Sequence, residues 1–458
     1  RYDLQLPLTD PLDRKLAYVP GRQSQVVKGA LPGMVFPGDE GITRGIVAAD
    51  RNNFAPRVGL AWDPAGDGKT AVRAAFGVFY GSIGGNMWNA TADNQPFSIR
   101  QRFNTPGTLS DPYSTLPGGV SPFPYSYSPD NIRFVFPTAI QGPSLDFRLP
   151  YVYQMNLTVQ RQLTKDLGVT AAYVSTLGHK FRFNRDLNYP VFRAGATTGN
   201  VDARRPILPG QLSTIQLIES VLNSAYHGMQ LTVEKRLARN FSFKAFYTLG
   251  KAIDTADSQD DTSGGVQNMN NIAADRSRAD SDRRHNFVLS GIWRGNYFND
   301  WHRAARAILN GWSLSAIVSL RSGRPLTITN GSDANLDGNS SDRANLAGNP
   351  LLDHNRPRSE VVAAWFDTAA FAPAVVGTDG TAGRNIIDGP GLKNVDLGIF
   401  RDFSFTERFK LQFRAEATNA FNLVNLNNPT TSRNSSQFGR ITTARTMREM
   451  QLGLRLTF

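Results

Sequence analysis

Apolar and polar residues alternate with a period of two in many segments of the chain. In the last ten residues, Met450, Leu452, Leu454, Leu456 and Phe458 are apolar, and the residues between them are polar or small. Successive side chains of a β-strand point to opposite faces of a sheet. Each such segment is therefore predicted to be a strand with one apolar face and one polar face.

Strands with this pattern are predicted along most of the chain. They lie near residues 57–62, 70–80, 151–161, 168–176, 226–237, 240–250, 284–294, 311–321, 394–402, 408–418 and 449–458. Strands of soluble proteins average about five or six residues. Many of the alternating runs instead reach about nine to eleven residues, which is the length that a tilted strand needs to cross a bilayer.

The connections between these strands alternate in length. Residues 63–69, 162–167, 238–239 and 402–408 are short connections, residues 81–150, 177–225, 251–283, 322–393 and 419–448 are long ones, and 295–310 is intermediate. Barrels of the bacterial outer membrane have tight periplasmic turns and long outer loops. The blades of a soluble propeller do not show this alternation. We therefore predict an all-β, antiparallel, up-and-down transmembrane barrel, with a soluble β-domain as the alternative.

Composition narrows the functional classes. The chain has 458 residues, no cysteine and a formal net charge of +12, and its Lys and Arg residues are scattered singly. The lack of cysteine excludes thiolate catalysis and cysteine-ligated metal centres. Scattered basic residues do not favour a nucleic-acid partner. No run approaches the roughly 18 apolar residues of a membrane-spanning helix, so strands are the only candidate spanning elements.

The strand count is odd, whereas single-chain bacterial barrels usually have an even number of strands. One explanation is a strand missed within residues 95–103 or 132–136. The other is that the sequence starts within a barrel. The sequence begins at Arg1, without an initiator Met or a secretory segment, which favours the second explanation and indicates a fragment.

Several segments, in order along the chain, resemble one family. They are residues 36–39 (FPGD), 52–64 (NNFAPRVGLAWDP), 68–70 (GKT), 281–287 (SDRRHNF), 322–325 (SGRP), 413–417 with 419–422 (FRAEA, NAFN) and 438–441 (FGRI). They resemble the barrel of TonB-dependent outer-membrane receptors of the Oar-like type. One such match would be weak evidence, but a series of them in the family's order is specific.

The resemblance implies a barrel of about 22 strands with a plugged lumen, of which this chain is the second half. Residues 1–56 would be an outer loop segment that leads into the barrel, and residues 57–458 the barrel itself. The plug, the N-terminal domains and the TonB box are not in this sequence. Import of a large or scarce extracellular solute, with TonB as the energy-coupling partner, therefore depends on the resemblance alone.

A second hypothesis belongs to a different class, a non-transporting adhesin or surface-organising barrel of the outer membrane. A plug and a TonB box in the full reading frame would favour the receptor. Catalysis is not expected, because the five histidines lie far apart and no nucleophile-elbow motif is present. The expected partners are outer-membrane lipid, the barrel-assembly machinery and an unidentified solute.

The faces of the strands can be assigned from the cost of placing charge in lipid. An Arg or Lys on the lipid face near the midplane costs about 2–4 kcal/mol. We therefore predict an outward, lipid-facing position for Leu231, Val233, Leu411, Phe413, Leu452 and Leu454. The residues predicted to face the lumen are Gln154, Asn156, Gln230, Glu234, Lys410, Arg414, Glu416 and Arg455.

The terminal Phe458 ends an alternating strand. A terminal aromatic residue in this position is predicted to be the signal that the barrel-assembly machinery recognises.

One segment reproduces the first half of a calcium-binding loop. Asp333, Asn335, Asp337 and Asn339 have the alternate spacing of oxygen ligands, and Gly338 allows the sharp turn. Position twelve is an alanine, so the usual bidentate glutamate is missing, and Asp342 is the candidate substitute. The alternative is a turn, because Asp, Asn and Gly are common turn residues. No other cofactor is expected.

Residues 251–283 are rich in acidic and basic side chains. The acidic residues are Asp254, Asp257, Asp260, Asp261, Asp275, Asp280 and Asp282, and the basic ones are Arg276, Arg278, Arg283 and Arg284. Their mixture predicts a solvated outer loop with internal ion pairs, and a ligand-contacting surface is the alternative.

Overall fold

The computed structural model describes residues 1–99, 108–114, 119–121, 123–256, 266–295, 298, 300–302, 305, 308–405 and 408–458. Its main element is an antiparallel meander in which each long strand pairs with the next one along the chain. The strands are β1 (Arg57–Trp62), β2 (Thr70–Tyr80), β3 (Tyr151–Gln162), β4 (Leu167–Asp186), β5 (Leu212–Ala238), β6 (Phe241–Asp254), β7 (His285–Gly295), β8 (Trp312–Arg321), β9 (Leu392–Ser404), β10 (Lys410–Thr418) and β11 (Glu449–Thr457). The predicted strands and their up-and-down order are present.

Two strands are much longer than their alternating patterns predict. Strand β4 has 20 residues and β5 has 27, so β5 extends about 90 Å at roughly 3.3 Å per residue. A bilayer core is only about 30 Å thick. The prediction that residues 177–225 form one long loop is therefore wrong for 177–186 and 212–225, which continue the strands. Most side chains in these parts are buried or half-buried, with Lys180, Val221 and Asn223 as exposed exceptions, so they need no simple alternation.

A bulge separates the regular part of the β4–β5 ladder from its extension. The register shifts between Gly178 and Phe181 and again before Arg182, and Lys180 has a φ of 57°. A Cβ on Gly178 would lie 2.2 Å from the Phe181 ring, so any larger residue there would have to displace that ring. A bulge bends its strand and increases the local twist, which redirects the extension at this point.

Short elements fill the long connections. Their bounds are Ala17–Tyr18, Met34–Val35, Thr138–Pro143, Ser277–Arg278, Pro325–Leu326, Asn345–Leu346, Phe371–Ala372 and Ile387–Asp388 for strands, and Gly85–Ala92 and Arg358–Ala363 for α-helices. Thr138–Pro143 pairs in parallel with β5. Residues 132–136, suggested as a hidden strand, are not one, and neither is the described part of 95–103. Among the described residues, no helix is long and apolar enough to cross a membrane.

The long connections fold into a body with its own core. We use the name cap for the described residues of segments 1–56, 81–150, 187–211, 255–284, 322–391 and 419–448. One cap cluster packs Phe36 and Met34 against Ile140 and Ile215, so the N-terminal segment lies on the β5 extension. A second cluster packs Phe366 against neighbours from residues 326–441. The long connections therefore form a packed structure rather than independent loops.

The cap should open when its second cluster loses its central ring. Phe366 is 1% exposed and makes edge-to-face contacts with Phe371 and Phe438 at centroid distances of 5.6 and 5.2 Å. Phe366→Ala is expected to cost about 3–5 kcal/mol because it leaves a cavity. Trypsin should then cleave residues 322–393 several-fold faster.

The matched control is Phe421→Ala, because Phe421 is 66% exposed and should leave cleavage unchanged. Equal cleavage rates for the Phe366 variant and the unaltered protein would show that this cluster does not hold the cap together.

Candidate functional site: the polar face of the sheet and its cap

Cross-strand pairing gathers the apolar residues onto one face of the sheet. Leu231 lies opposite Ala171 on one side and Tyr247 on the other. Phe413 lies opposite Leu454 in the same way. These side chains are exposed, by 38% for Leu231 and 72% for Leu454. The face measures on the order of 50 Å by 25 Å from strand spacing and barrel height. That area far exceeds the few hundred Å² usual on soluble proteins.

Aromatic residues mark both ends of this apolar face. Trp62 and Trp293 lie at the ends of β1 and β7, and Trp312 begins β8, all at the side with short connections. At the opposite side Tyr80 ends β2 and packs on Tyr151, with ring centroids 5.6 Å apart. Aromatic rings favour the headgroup level because they are both apolar and able to hydrogen-bond. The two ends thus have the chemistry of membrane interfaces.

An arginine, Arg401, lies in the apolar rows of the sheet, and sequence reasoning missed it. Arg401 is opposite Phe413 and Trp312, yet it is only 5% exposed. Its guanidinium lies 5.0 Å from the Trp312 ring and 4.6 Å from the Phe403 ring, and it donates to the Ile308 carbonyl. Neighbouring rings shield the charge by cation–π contact, which makes this position tolerable near the short-turn end.

The residues predicted to face the lumen all lie on the other, polar face. The register connects Gln230 to Thr158 through Ala172 of the intervening strand, and it places Glu234 opposite Lys244. Two ion pairs lie on this face, Glu234–Lys244 at 3.3 Å and Arg414–Glu416 at 3.0 Å.

The predicted residues are distributed over β3, β5, β10 and β11, so they share a face but do not form one cluster. Hollows lined mainly by polar-face residues such as Arg73, Lys244 and Glu416 lie along the same side of the sheet. That this face lines a lumen remains a prediction.

The acidic segment 251–283 pairs mainly with arginines from the next long connection. Arg384 binds Asp254 and, at 3.2 Å, Asp280, and Arg343 binds Asp275. Burial raises the pKa of Asp275, while the charge of Arg343 opposes that change.

The expectation of pairing within the segment is met only in part. Arg278 pairs with Asp282 at 2.9 Å, but Arg384 and Asp254 are 130 positions apart, so no local pattern could identify them. Asp257, Asp260 and Asp261 lie outside the described residues. The pairs between distant segments tie 251–283 to 322–393.

The calcium-like motif forms a loop held by its own hydrogen bonds. Asp333 accepts from the backbone N–H groups of Asp337 and Gly338 at 3.0 and 2.9 Å. Asp342 accepts from the Asn335 N–H at 3.0 Å, and burial raises its pKa to about 6. Asn339 accepts from Ser341 N–H, and Asp337 accepts from the Tyr189 hydroxyl. Many of the candidate ligand oxygens are therefore engaged by donors.

Within the described part of the chain, no group of three or more His, Cys, Asp or Glu side chains is arranged to hold a metal ion. The motif contributes turns to the cap, and calcium binding remains a prediction from the sequence.

A family model described as "Outer membrane beta barrel domain" matches residues 1–451. This match confirms the predicted outer-membrane barrel class and the location in the outer membrane. No curated protein matches the chain.

Solved structures similar to the chain include the outer membrane transporter YddB from Escherichia coli, with 10% identity and a TM-score of 0.45, covering 89% of this chain and 41% of that one. The ferric preacinetobactin receptor BauA from Acinetobacter baumannii has 12% identity and a TM-score of 0.41, covering 90% and 37%. The ferric-catecholate import receptor Fiu from E. coli K12 has 12% identity and a TM-score of 0.39, covering 94% and 38%. The chain thus spans about two fifths of the length of these proteins.

The two faces of the sheet should differ in their contact with lipid. The chain has no cysteine, so single cysteines at positions 410, 411, 413 and 414 can each carry one fluorescent label. Labels at 411 and 413 should be quenched strongly by brominated lipids, because these positions share the apolar face. Labels at 410 and 414 should be quenched by a water-soluble agent instead.

The reverse pattern would place the polar face against lipid. The absence of lipid quenching at all four positions would show that these strands do not lie in a membrane.

Proposed function

We propose that this chain, which belongs to the outer membrane beta barrel domain family, is the solute-binding barrel of a TonB-dependent receptor that imports a large or scarce solute. The observation that carries the proposal is the pairing of a wide polar face with a packed cap at one end. The face offers a path lined by polar groups, and the cap offers a shaped surface where a solute can first bind.

The size of the polar face favours a receptor over a narrow channel or a solid barrel. Within the described residues the meander ends at β1 and β11, each with one edge unpaired. Backbone groups left unpaired in lipid cost several kcal/mol each, so a spanning sheet must close. Closure with a similar number of further strands would give about 22, the size at which a barrel lumen holds a plug. The plug and TonB contact are proposed from the sequence resemblance.

The packed cap supports selective binding. A surface held by buried clusters and ion pairs between distant segments loses little conformational entropy when a solute binds. The Arg384 and Arg343 pairs hold two long connections in one arrangement. An adhesin could also use such a surface, and energy-dependent import distinguishes the two functions.

Import should depend on both this protein and TonB. Three strains are compared: the parent, a deletion of the gene that encodes this chain, and a deletion of TonB. Untargeted mass spectrometry of the spent medium should show a solute that the parent depletes and that remains in both deletion strains. Restoring the gene should restore depletion.

The adhesin would give a different result. Surface attachment would be lost when the gene is deleted but kept without TonB, and the media of the parent and the gene-deletion strain would match. That outcome would contradict import.

Phe458 is proposed to act during assembly rather than in the folded barrel. It follows β11 and is 77% exposed, so its loss removes little packing. Phe458→Ala should lower the amount of heat-modifiable protein in the outer membrane several-fold, without changing the melting temperature of the protein that does assemble.

Met450→Ala is the matched control, because Met450 is a 70% exposed apolar residue at the other end of the same strand. Equal assembly of the two variants would show that the terminal ring carries no signal.

A further inference from the structure

Four arginines converge on one cavity at the junction of the sheet and the cap. The cavity has a volume of about 250 Å³, and Arg283, Arg321, Arg324 and Arg445 line it together with Ser322 and Asn428. Arg321 ends β8 and lies opposite Asn286 on the polar face. The cavity is therefore open to the side that a solute would approach rather than to the lipid side.

No carboxylate of the described residues forms an ion pair with these four arginines. Arg283 donates to the carbonyl oxygens of Asp280 and Asp282 at 3.3 and 2.8 Å. Asn428 Oδ1 accepts from Arg324 Nε at 2.6 Å in the amide orientation that satisfies both groups. These acceptors are neutral, so they leave the positive charge uncompensated.

The carboxylate of Asp282, the residue before Arg283, is already occupied. Asp282 accepts from the Ala252 N–H at 2.8 Å with one oxygen and from Arg278 Nε at 2.9 Å with the other. Burial together with the positive charges of Arg321, Arg324 and Arg445 lowers the pKa of Arg283, and Asp282 only partly opposes this. The four guanidinium groups thus repel one another across the cavity.

Three buried arginines of the cap have carboxylate partners. Arg205 pairs with Asp186, Arg343 with Asp275, and Arg384 with Asp254. Buried charges are normally paired because an unpaired charge loses its hydration without compensation. The four arginines that line the cavity have no such partner; Arg283 is half-buried and the other three are exposed, so a dissolved anion can reach them and would reduce their mutual repulsion.

We propose that this cavity binds a multiply charged phosphate group of the solute. The proposal rests on the proposed solute-binding function and names the chemical class that the site takes. Arginine presents a planar fork of donors that matches phosphate oxygens in a bidentate arrangement. The cavity has room for roughly eight water-sized volumes, which is enough for one diphosphate group. A phosphate on a lipid is disfavoured, because the apolar face lies on the other side of the sheet.

Inorganic pyrophosphate is the probe, titrated calorimetrically at low ionic strength into the full-length protein that carries this chain, purified in a nonionic detergent. The test variant is Arg321→Gln with Arg445→Gln, since both side chains are exposed. The control variant is Arg276→Gln with Arg358→Gln, which changes the net charge equally at exposed positions outside the cavity. Heat-modifiable migration confirms that each variant is folded.

The unaltered protein should bind one pyrophosphate. Each lost charge-assisted contact should weaken binding about tenfold, so the test variant should bind about a hundredfold more weakly. The control should stay within about twofold of the unaltered protein, as expected for exposed charges screened by solvent.

Three results would overturn the proposal: no binding by the unaltered protein, equal weakening in both variants, or displacement of bound pyrophosphate by micelles of an anionic phospholipid.

Failure of this site and failure of the import function are distinguishable. If the test variant depletes the solute as the unaltered protein does, the phosphate-site proposal is contradicted and the import proposal stands. If the protein binds pyrophosphate but deletion of its gene leaves solute depletion unchanged, the import proposal is contradicted and the phosphate site stands.

Discussion

The structure depends on one constraint, the need to satisfy every backbone N–H and C=O group where water is absent. A meander of neighbouring antiparallel strands meets that need with hydrogen bonds between consecutive segments. Because each strand pairs with the next, the chain can leave the sheet only at strand ends. The two ends then take different forms, short turns on one side and long, folded connections on the other.

The same constraint explains the two faces. Once the backbone is fully paired, side chains decide what each face can contact, and the register carries that choice across all the strands. Leu231 and Phe413 lie in apolar rows, whereas Gln230 and Arg414 lie in polar rows. Arg401, which lies in the apolar rows, is covered by the Trp312 and Phe403 rings. A charge is tolerated there because other groups replace the water that it lost.

The cap follows different rules, because it is held as a soluble protein is. Phe366 and Phe36 are at the centres of apolar clusters, and ion pairs such as Arg343–Asp275 connect segments far apart in the chain. At the boundary between the cap and the polar face, four arginines line a cavity and have no carboxylate partner among the described residues. Arginines paired with aspartates hold the segments of the cap in place, whereas the arginines without such partners form the proposed anion site.

The sequence alone determined the membrane-spanning part of this protein. A strand between lipid and water must alternate residue by residue, so the local pattern predicted β2 and β3 almost to their ends and assigned the faces of residues such as Leu411 and Lys410. Only the tertiary structure decided the rest. The extensions of β4 and β5, the pairing of Arg384 with Asp254 and the convergence of Arg283 with Arg445 join residues tens to more than a hundred positions apart. Inside the cap a side chain faces other side chains rather than one of two solvents, so its environment depends on how distant segments pack and leaves no periodic signal in the sequence.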